Sequence, residues 1–155
     1  MALSSTLVAA ATAYFDALST FDAEKISSTF SPEYQHTLAP TNFFASLGIK
    51  GPLPGNALLQ GAAGQKALFS DIAFKIKESW PNEATNVVTA WVVAQGTLRD
   101  EFVDAEIGTT KDYYREYVFI LTVGEDGKIE NVLEFVDTLS IKSHGAAQAK
   151  AASRI

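Results

Sequence analysis

The chain is 155 residues long, with 47% hydrophobic and 19% charged residues, which supports one compact domain with its own core and excludes disorder as a general description. It contains no cysteine, so disulfide scaffolds, thiolate metal sites, iron–sulfur ligation and thiol nucleophiles are ruled out, and a reduced compartment such as the cytoplasm fits. With 12 Lys and Arg against 18 Asp and Glu the formal charge is −6, which repels phosphate backbones and anionic membranes, so neither nucleic acid nor membrane is expected as a partner.

In chain order, Leu7, Val8, Ala11, Tyr14, Phe15 and Leu18 recur at three- and four-residue intervals and predict an amphipathic helix opening at Ser4, Ser5 or Thr6. Asp16 interrupts this stretch and no basic segment precedes it, so it does not read as a secretory signal. Asp22 is placed to cap a second, short helix, with Phe21 and Ile26 at staple spacing. Tyr34, His36 and Leu38 alternate with Gln35 and Thr37 in a brief extended segment closed by Pro40, which points all three to one side. Residues 41–64 scatter glycines and prolines among Phe43, Phe44, Leu47, Leu53, Leu58 and Leu59, which predicts a folded loop, and Gln65 to Asp71 reads as the end of a helix.

Phe74 and Ile76 alternate with Lys75 and Lys77 as a strand with one wet face, and Pro81-Asn82 is expected to turn the chain. Long β-rich runs follow at Asn86 to Leu98, Tyr113 to Val123 and Lys128 to Ile141, the last two joined by the hairpin signal Asp126-Gly127. No apolar run approaches the ~20 residues of a membrane helix. The order of elements implies an α+β fold, a single domain over residues 1–142 with a tail at 143–155, whose closing Ser153-Arg154-Ile155 loosely matches the peroxisomal Ser-Lys-Leu address.

The chemistry is narrowed by elimination. No spacing of His and carboxylates suits a transition metal, and Gly61-Ala62-Ala63-Gly64-Gln65-Lys66 lacks the second glycine before lysine and the Ser or Thr that a phosphate loop needs. No dinucleotide fingerprint or nucleophile elbow is present. Acid–base chemistry without metal or cofactor remains.

Alternation places Tyr113, Arg115, Tyr117, Phe119 and Leu121 on one face of their strand, and Glu130, Val132, Glu134 and Val136 on one face of the last. A carboxylate among valines is the informative feature: enclosed by apolar walls it becomes a general acid or base usable near neutral pH, with tyrosine hydroxyls as partners. The alternative is a solvated face on which Glu130 and Glu134 stand beside lysines. His36 either enters the same cavity as a proton carrier or is a hydrogen-bonded histidine at the edge of the core. Trp91 and Tyr14 are either core residues or the walls of a pocket.

Three segments carry a resemblance: Tyr14-Phe15-Asp16-Ala17-Leu18-Ser19-Thr20-Phe21-Asp22, then Tyr34-Gln35-His36-Thr37-Leu38-Ala39-Pro40, then Glu116 to Thr122 running through Glu125-Asp126-Gly127-Lys128-Ile129 to Glu134-Phe135-Val136-Asp137. Over roughly residues 5–140 the chain resembles the SnoaL-like branch of the nuclear transport factor 2-like superfamily, and within it the fungal secondary-metabolism cyclases, isomerases and semipinacolases. The resemblance implies a cone, a curved antiparallel sheet wrapped around N-terminal helices over a deep apolar pocket, commonly in a homodimer. It implies a catalytic carboxylate at Glu134, three residues before Asp137, a partner at His36, and tyrosines at Tyr113 and Tyr117. The chain departs from some relatives in lacking an arginine near His36, and it lacks the second core histidine of a scytalone dehydratase-like dyad.

The resulting expectation is an isomerase or cyclase acting on a bulky apolar polyketide, terpenoid or alkaloid intermediate. Glu134, His36, Tyr117 and Tyr113 are its catalytic residues, and Trp91, Tyr14, Phe119 and Val132 shape the substrate site. Hydrolysis or dehydration of a similar substrate, and a non-catalytic binding or scaffold role, are the alternatives.

Overall fold

The computed structural model of the protein describes residues 3–107, 109–139 and 141. The tail at 143–155, with its Ser153-Arg154-Ile155 address, lies outside the described residues. Helix α1 (Ser4–Leu18) buries Leu7, Ala11, Tyr14, Phe15, Ala17 and Leu18, the stripe its apolar spacing predicts. No side chain within the helix caps its N-terminus; Glu83 does so from a distant turn, accepting hydrogen bonds from Ser4 N at 2.8 Å and Ser4 Oγ at 2.6 Å. Helix α2 (Ala23–Ser27) starts at Asp22, whose carboxylate accepts from Lys25 N at 3.0 Å.

Strand β1 (Phe30–Ala39) is followed by α3 (Thr41–Ser46), the two-residue strand β2 (Leu53–Pro54), and α4 (Gly55–Leu68). The expected loop at 41–64 is therefore mostly helical. The four strands that complete the fold are β3 (Phe69–Asn82), β4 (Val87–Leu98), β5 (Asp112–Val123) and β6 (Ile129–Val136). Strand β3 runs through Pro81-Asn82, and the turn comes after it. Gly127, at φ +77°, turns the β5–β6 connection as its Asp-Gly signal predicts.

One six-stranded sheet results, in the order β2-β1-β6-β5-β4-β3. It is antiparallel except where β1 lies parallel to β6, so the sheet is mixed. That single parallel contact requires the long crossover that the intervening helices and strands supply. Register shifts at Phe30/Gln35, Phe69/Asp71, Ile76/Glu78 and Thr122/Val123 add bends and twist that let the sheet curl around α1.

The core fills the space between α1 and the inner sheet face, where Val88, Ala90, Val92 and Ala94 of β4 and Tyr117, Phe119 and Leu121 of β5 meet Leu7, Ala11, Tyr14, Phe15 and Leu18. Burial of a side chain such as Phe15 or Leu7 contributes about 1.5–3 kcal/mol, so this stripe seats α1 and the Tyr14 it carries. Among the described residues no helix is long and apolar enough to cross a membrane.

Candidate functional site

The parallel neighbours β1 and β6 pair His36 with Val132 and Leu38 with Glu134. Alternation then turns Tyr34 and His36 of β1, and Val132 and Glu134 of β6, to the inner face that α1 covers. His36 and Glu134 lie diagonally across the pair, within reach of one another. His36 Nε2 lies 2.7 Å from Glu134 Oε2, and His36 Nδ1 lies 2.8 Å from the Tyr34 hydroxyl. The Tyr34 hydroxyl is in turn 2.8 Å from that of Tyr14. Glu134, His36, Tyr34 and Tyr14 thus form one unbroken hydrogen-bonded chain running from the sheet into α1.

Exposure grades along this chain. The side chains of His36 and Glu134 are 3% and 17% exposed, and Tyr34 and Tyr14 are buried. The carboxylate is the member that reaches the open side. As an ionised group Glu134 can only accept, so His36 Nε2 donates to it. When a proton passes to Glu134, its hydroxyl can donate to Nε2 instead, and Nδ1–H then donates to the Tyr34 oxygen. The two states differ in the imidazole tautomer and in the orientation of the phenolic O–H groups, and the same heavy-atom positions serve both.

Strand β5 brings up a second group. Tyr113, Arg115 and Tyr117 share the inner face, and the hydroxyls of Tyr113 and Tyr117 lie 2.8 Å apart. Phe69 meets the Tyr113 ring edge-on at 4.9 Å, and the Tyr117 ring lies 5.7 Å from Phe119. The Arg115 guanidinium stands over the Tyr113 ring, 4.9 Å from its centroid. Burial pushes the phenols of Tyr14, Tyr34, Tyr113 and Tyr117 above their ordinary range, and the negative charge of Glu134 pushes each further in the same direction. Arg115 opposes this at Tyr113 and Tyr117. All four remain protonated donors at neutral pH, and Glu134 acts electrostatically on both tyrosine groups.

The remaining expected site residues divide. Phe119 and Val132 are 1% and 2% exposed and form the floor beneath the site, Phe119 meeting Phe15 edge-on at 4.9 Å. Tyr14 is at once a core ring and the inner end of the hydrogen-bonded chain. Trp91 is on the other face of the sheet: its neighbours Ala90 and Val92 fill the core, and its indole Nε1 donates to Glu116 Oε2 at 3.2 Å on the outer side. It does not shape the inner site, because one step along a strand reverses the face.

Two residues of the inner face went unassigned in the sequence. Tyr34 shares alternation with His36, and Arg115 with Tyr113 and Tyr117, which was the available signal. A groove of about 490 Å³ borders Tyr34, lined by Phe30, Ser31, Pro32, Gly55 and Leu59 among others, and it includes neither His36 nor Glu134. On the inner face Glu134 and Arg115 are the partly exposed charged side chains, while His36 is buried. Among the described residues no group of three or more His, Asp or Glu side chains is placed to hold a metal ion.

No family model matches the chain, and no curated protein matches its sequence. Solved structures match its fold. The BvnE pinacolase from Penicillium brevicompactum is 21% identical, with a TM-score of 0.76 over 97% of this chain and 99% of that one. AusH from Aspergillus nidulans is 20% identical, with a TM-score of 0.74 over 89% and 88%. An NTF2-like protein of unknown function from Burkholderia pseudomallei is 9% identical, with a TM-score of 0.64 over 88% and 94%. With its open, six-stranded mixed sheet curled around α1, the chain has the nuclear transport factor 2-like fold.

Proposed function

We propose that the protein is an enzyme that needs no cofactor, an isomerase or cyclase acting by general acid–base catalysis on a bulky, largely apolar polyketide, terpenoid or alkaloid intermediate. The observation that carries this reading is the unbroken chain Glu134–His36–Tyr34–Tyr14 on the inner face. In it Glu134 moves the proton, His36 holds and relays it, and Tyr34 backed by Tyr14 fixes the imidazole. Tyr113 and Tyr117 donate to an oxygen on which negative charge develops. The fold likeness to the BvnE pinacolase supports the reaction class, since a skeletal rearrangement asks for a proton moved and a substrate held folded.

The active form in this reading is a homodimer joined through the outer sheet face. There Phe135, Val118 and Trp91 stand side by side on β6, β5 and β4, Phe135 and Val118 being 43% and 40% exposed.

The test is turnover of a panel of polyketide, terpenoid and alkaloid intermediates followed by mass spectrometry. Isomerisation or cyclisation leaves the mass unchanged, whereas hydrolysis adds one water and dehydration removes one. Glu134→Gln is expected to lower the rate by about 10²–10⁴-fold with the fold intact. Equal turnover by the wild type and Glu134→Gln refutes the mechanism, and absence of conversion across the panel with tight ligand binding favours a binding protein.

A further inference from the structure

The groove beside Tyr34 runs between the start of β1 and the start of α4. Its volume of about 490 Å³ lies within the range of small-molecule sites. Phe30 and Leu59 supply apolar walls, and no carboxylate or ammonium side chain lines it. Gly55 sets how closely the two walls approach. A Cβ there would stand 2.9 Å from Cε2 and 3.3 Å from Cζ of Phe30, so the helix begins against that ring and a methyl group could enter only by displacing it.

Two features of the groove ask for a ligand with acceptor oxygens. Ser31, in its wall, is 7% exposed, and its Oγ is the one buried side-chain polar atom among the described residues without a hydrogen-bond partner. A buried hydroxyl in that state costs stability and calls for a partner that the chain itself does not supply. The second feature is the N-terminus of α4. A helix leaves its first amides without intrahelical acceptors, and here Pro54 holds the N-cap position, no side chain caps the turn and no acidic residue stands in it. Pro54, Gly55 and Asn56 of that opening turn line the same groove as Ser31.

A carboxylate answers both demands. It only accepts, so one oxygen takes the Ser31 hydroxyl proton while the other faces the opening turn of α4, where the helix dipole favours negative charge. An apolar body attached to it lies against Phe30 and Leu59. We propose that this groove binds a carboxylic acid with an aromatic or alicyclic body, held by Ser31 and the first turn of α4. Tyr34 is the wall that the groove shares with the proton chain, but the site is separate from Glu134 and its test needs no turnover.

The probes are 2-naphthoate and 2-naphthamide, a carboxylate and a neutral amide of the same shape, titrated calorimetrically at neutral pH. The wild type is expected to bind the naphthoate about tenfold more tightly, and Ser31→Ala to lose most of that preference. In nitrogen–proton spectra naphthoate should shift the amides of Gly55 and Asn56. Glu134→Gln should bind it as the wild type does. Without ligand, Ser31→Ala should unfold at the same or a higher urea concentration than the wild type, since it removes an unpartnered hydroxyl. Equal preference for naphthoate in Ser31→Ala and wild type overturns the proposal, as does a wild type that fails to prefer the carboxylate. Loss of both probes together in Ser31→Ala would make Ser31 a packing residue and overturn it too. A naphthoate affinity that changes in Glu134→Gln and not in Ser31→Ala would seat the carboxylate on the inner face and refute the groove site alone.

Discussion

Tyr34 is the hinge of the hydrogen-bonded chain, because its one hydroxyl serves both His36 Nδ1 and the Tyr14 hydroxyl. Replacing Tyr34 by Phe keeps the ring, including its close packing on Phe30 at 4.3 Å, and removes only that oxygen. Two buried polar groups then lose a partner, so Tyr34→Phe is expected to cost about 1–3 kcal/mol in denaturant unfolding. Tyr14→Phe strips a partner from one group and should cost less. The functional consequence is separable from the loss of stability: without Tyr34 the imidazole tautomer is no longer selected, so the pH profile of turnover should change shape in Tyr34→Phe and keep it in Phe30→Leu. Identical profiles would show that Tyr34 only packs. At this scale alternation identifies residues that share a face and cannot say which face the helix covers. Glu134 and His36, on separate strands, are brought together by the family resemblance and not by alternation, while Trp91, equally aromatic and equally central in its strand, is expected in the site and stands on the opposite face. Arg115 was visible between two assigned tyrosines, but a charge in a strand reads as a solvated face until the opposing helix is known.

At the scale of elements the glycines tell opposite stories. Residues 41–64 read as a loop because glycine and proline punctuate them, yet α4 runs straight through Gly61 and Gly64. A Cβ at either position would meet nothing within 4 Å, and both are exposed, so these glycines answer no steric demand of the packed structure. Gly61→Ala and Gly64→Ala are each expected to stabilise the protein by about 0.5–1 kcal/mol in thermal or urea unfolding, as a helix interior favours alanine. Gly96 on β4 is the reverse case. A Cβ there would stand 2.4 Å from the Asp71 carbonyl oxygen and 3.0 Å from Ile72 Cα, next to the Phe69/Asp71 irregularity of β3. The obstruction is backbone and cannot rotate away, so Gly96→Ala is expected to destabilise by about 1–3 kcal/mol. A neutral Gly96→Ala would mean that β3 can relax at its bulge. Propensity recovered the long β-rich runs, whose composition is unambiguous, and failed at α4, where tertiary cover from β1 and α2 outweighs the local cost of glycine. The parallel contact of β1 with β6 had no local signal, because it joins segments from opposite ends of the chain.

The whole molecule separates its tyrosines by face. Tyr114, 56% exposed, is on the outer side with its hydroxyl donating to Glu116 Oε1, while Tyr14, Tyr34, Tyr113 and Tyr117 line the interior. That helices cover one face of a curved sheet was readable from the order of elements, since an amphipathic helix ahead of a meander buries its stripe on that sheet, whereas the cone was implied by the family resemblance. What the outer face meets was not readable, because exposed Val118 and Phe135 carry no record of a partner. If a second copy covers them, Val118→Lys should convert a dimer to a monomer in light scattering while the inner site stays intact, and a wild type that is monomeric at micromolar concentration excludes this interface.

The same division by face governs alkaline stability, and the sign follows from proton counts. Each inner phenol is raised above its ordinary value of 10.0, so above that pH the unfolded chain has released protons that the folded chain still holds. Stability contributed by these groups is complete below pH 10 and falls as pH rises beyond it, by up to about 1.4 kcal/mol per pH unit for each group. Urea unfolding at rising pH should therefore show a flat stability up to about pH 10 and a steep decline above it. Tyrosinate absorbance should rise in two stages, Tyr114 ionising first in the folded protein, where its bond to Glu116 delays it modestly, and the inner four only as the fold is lost. The variant Glu134→Gln removes the negative charge that opposes their ionisation from within, so its second stage should begin at lower pH. A single stage with all tyrosines titrating in an intact fold would show that the inner face is open to solvent, and the enclosed proton chain from Glu134 to Tyr14 would then have to be abandoned.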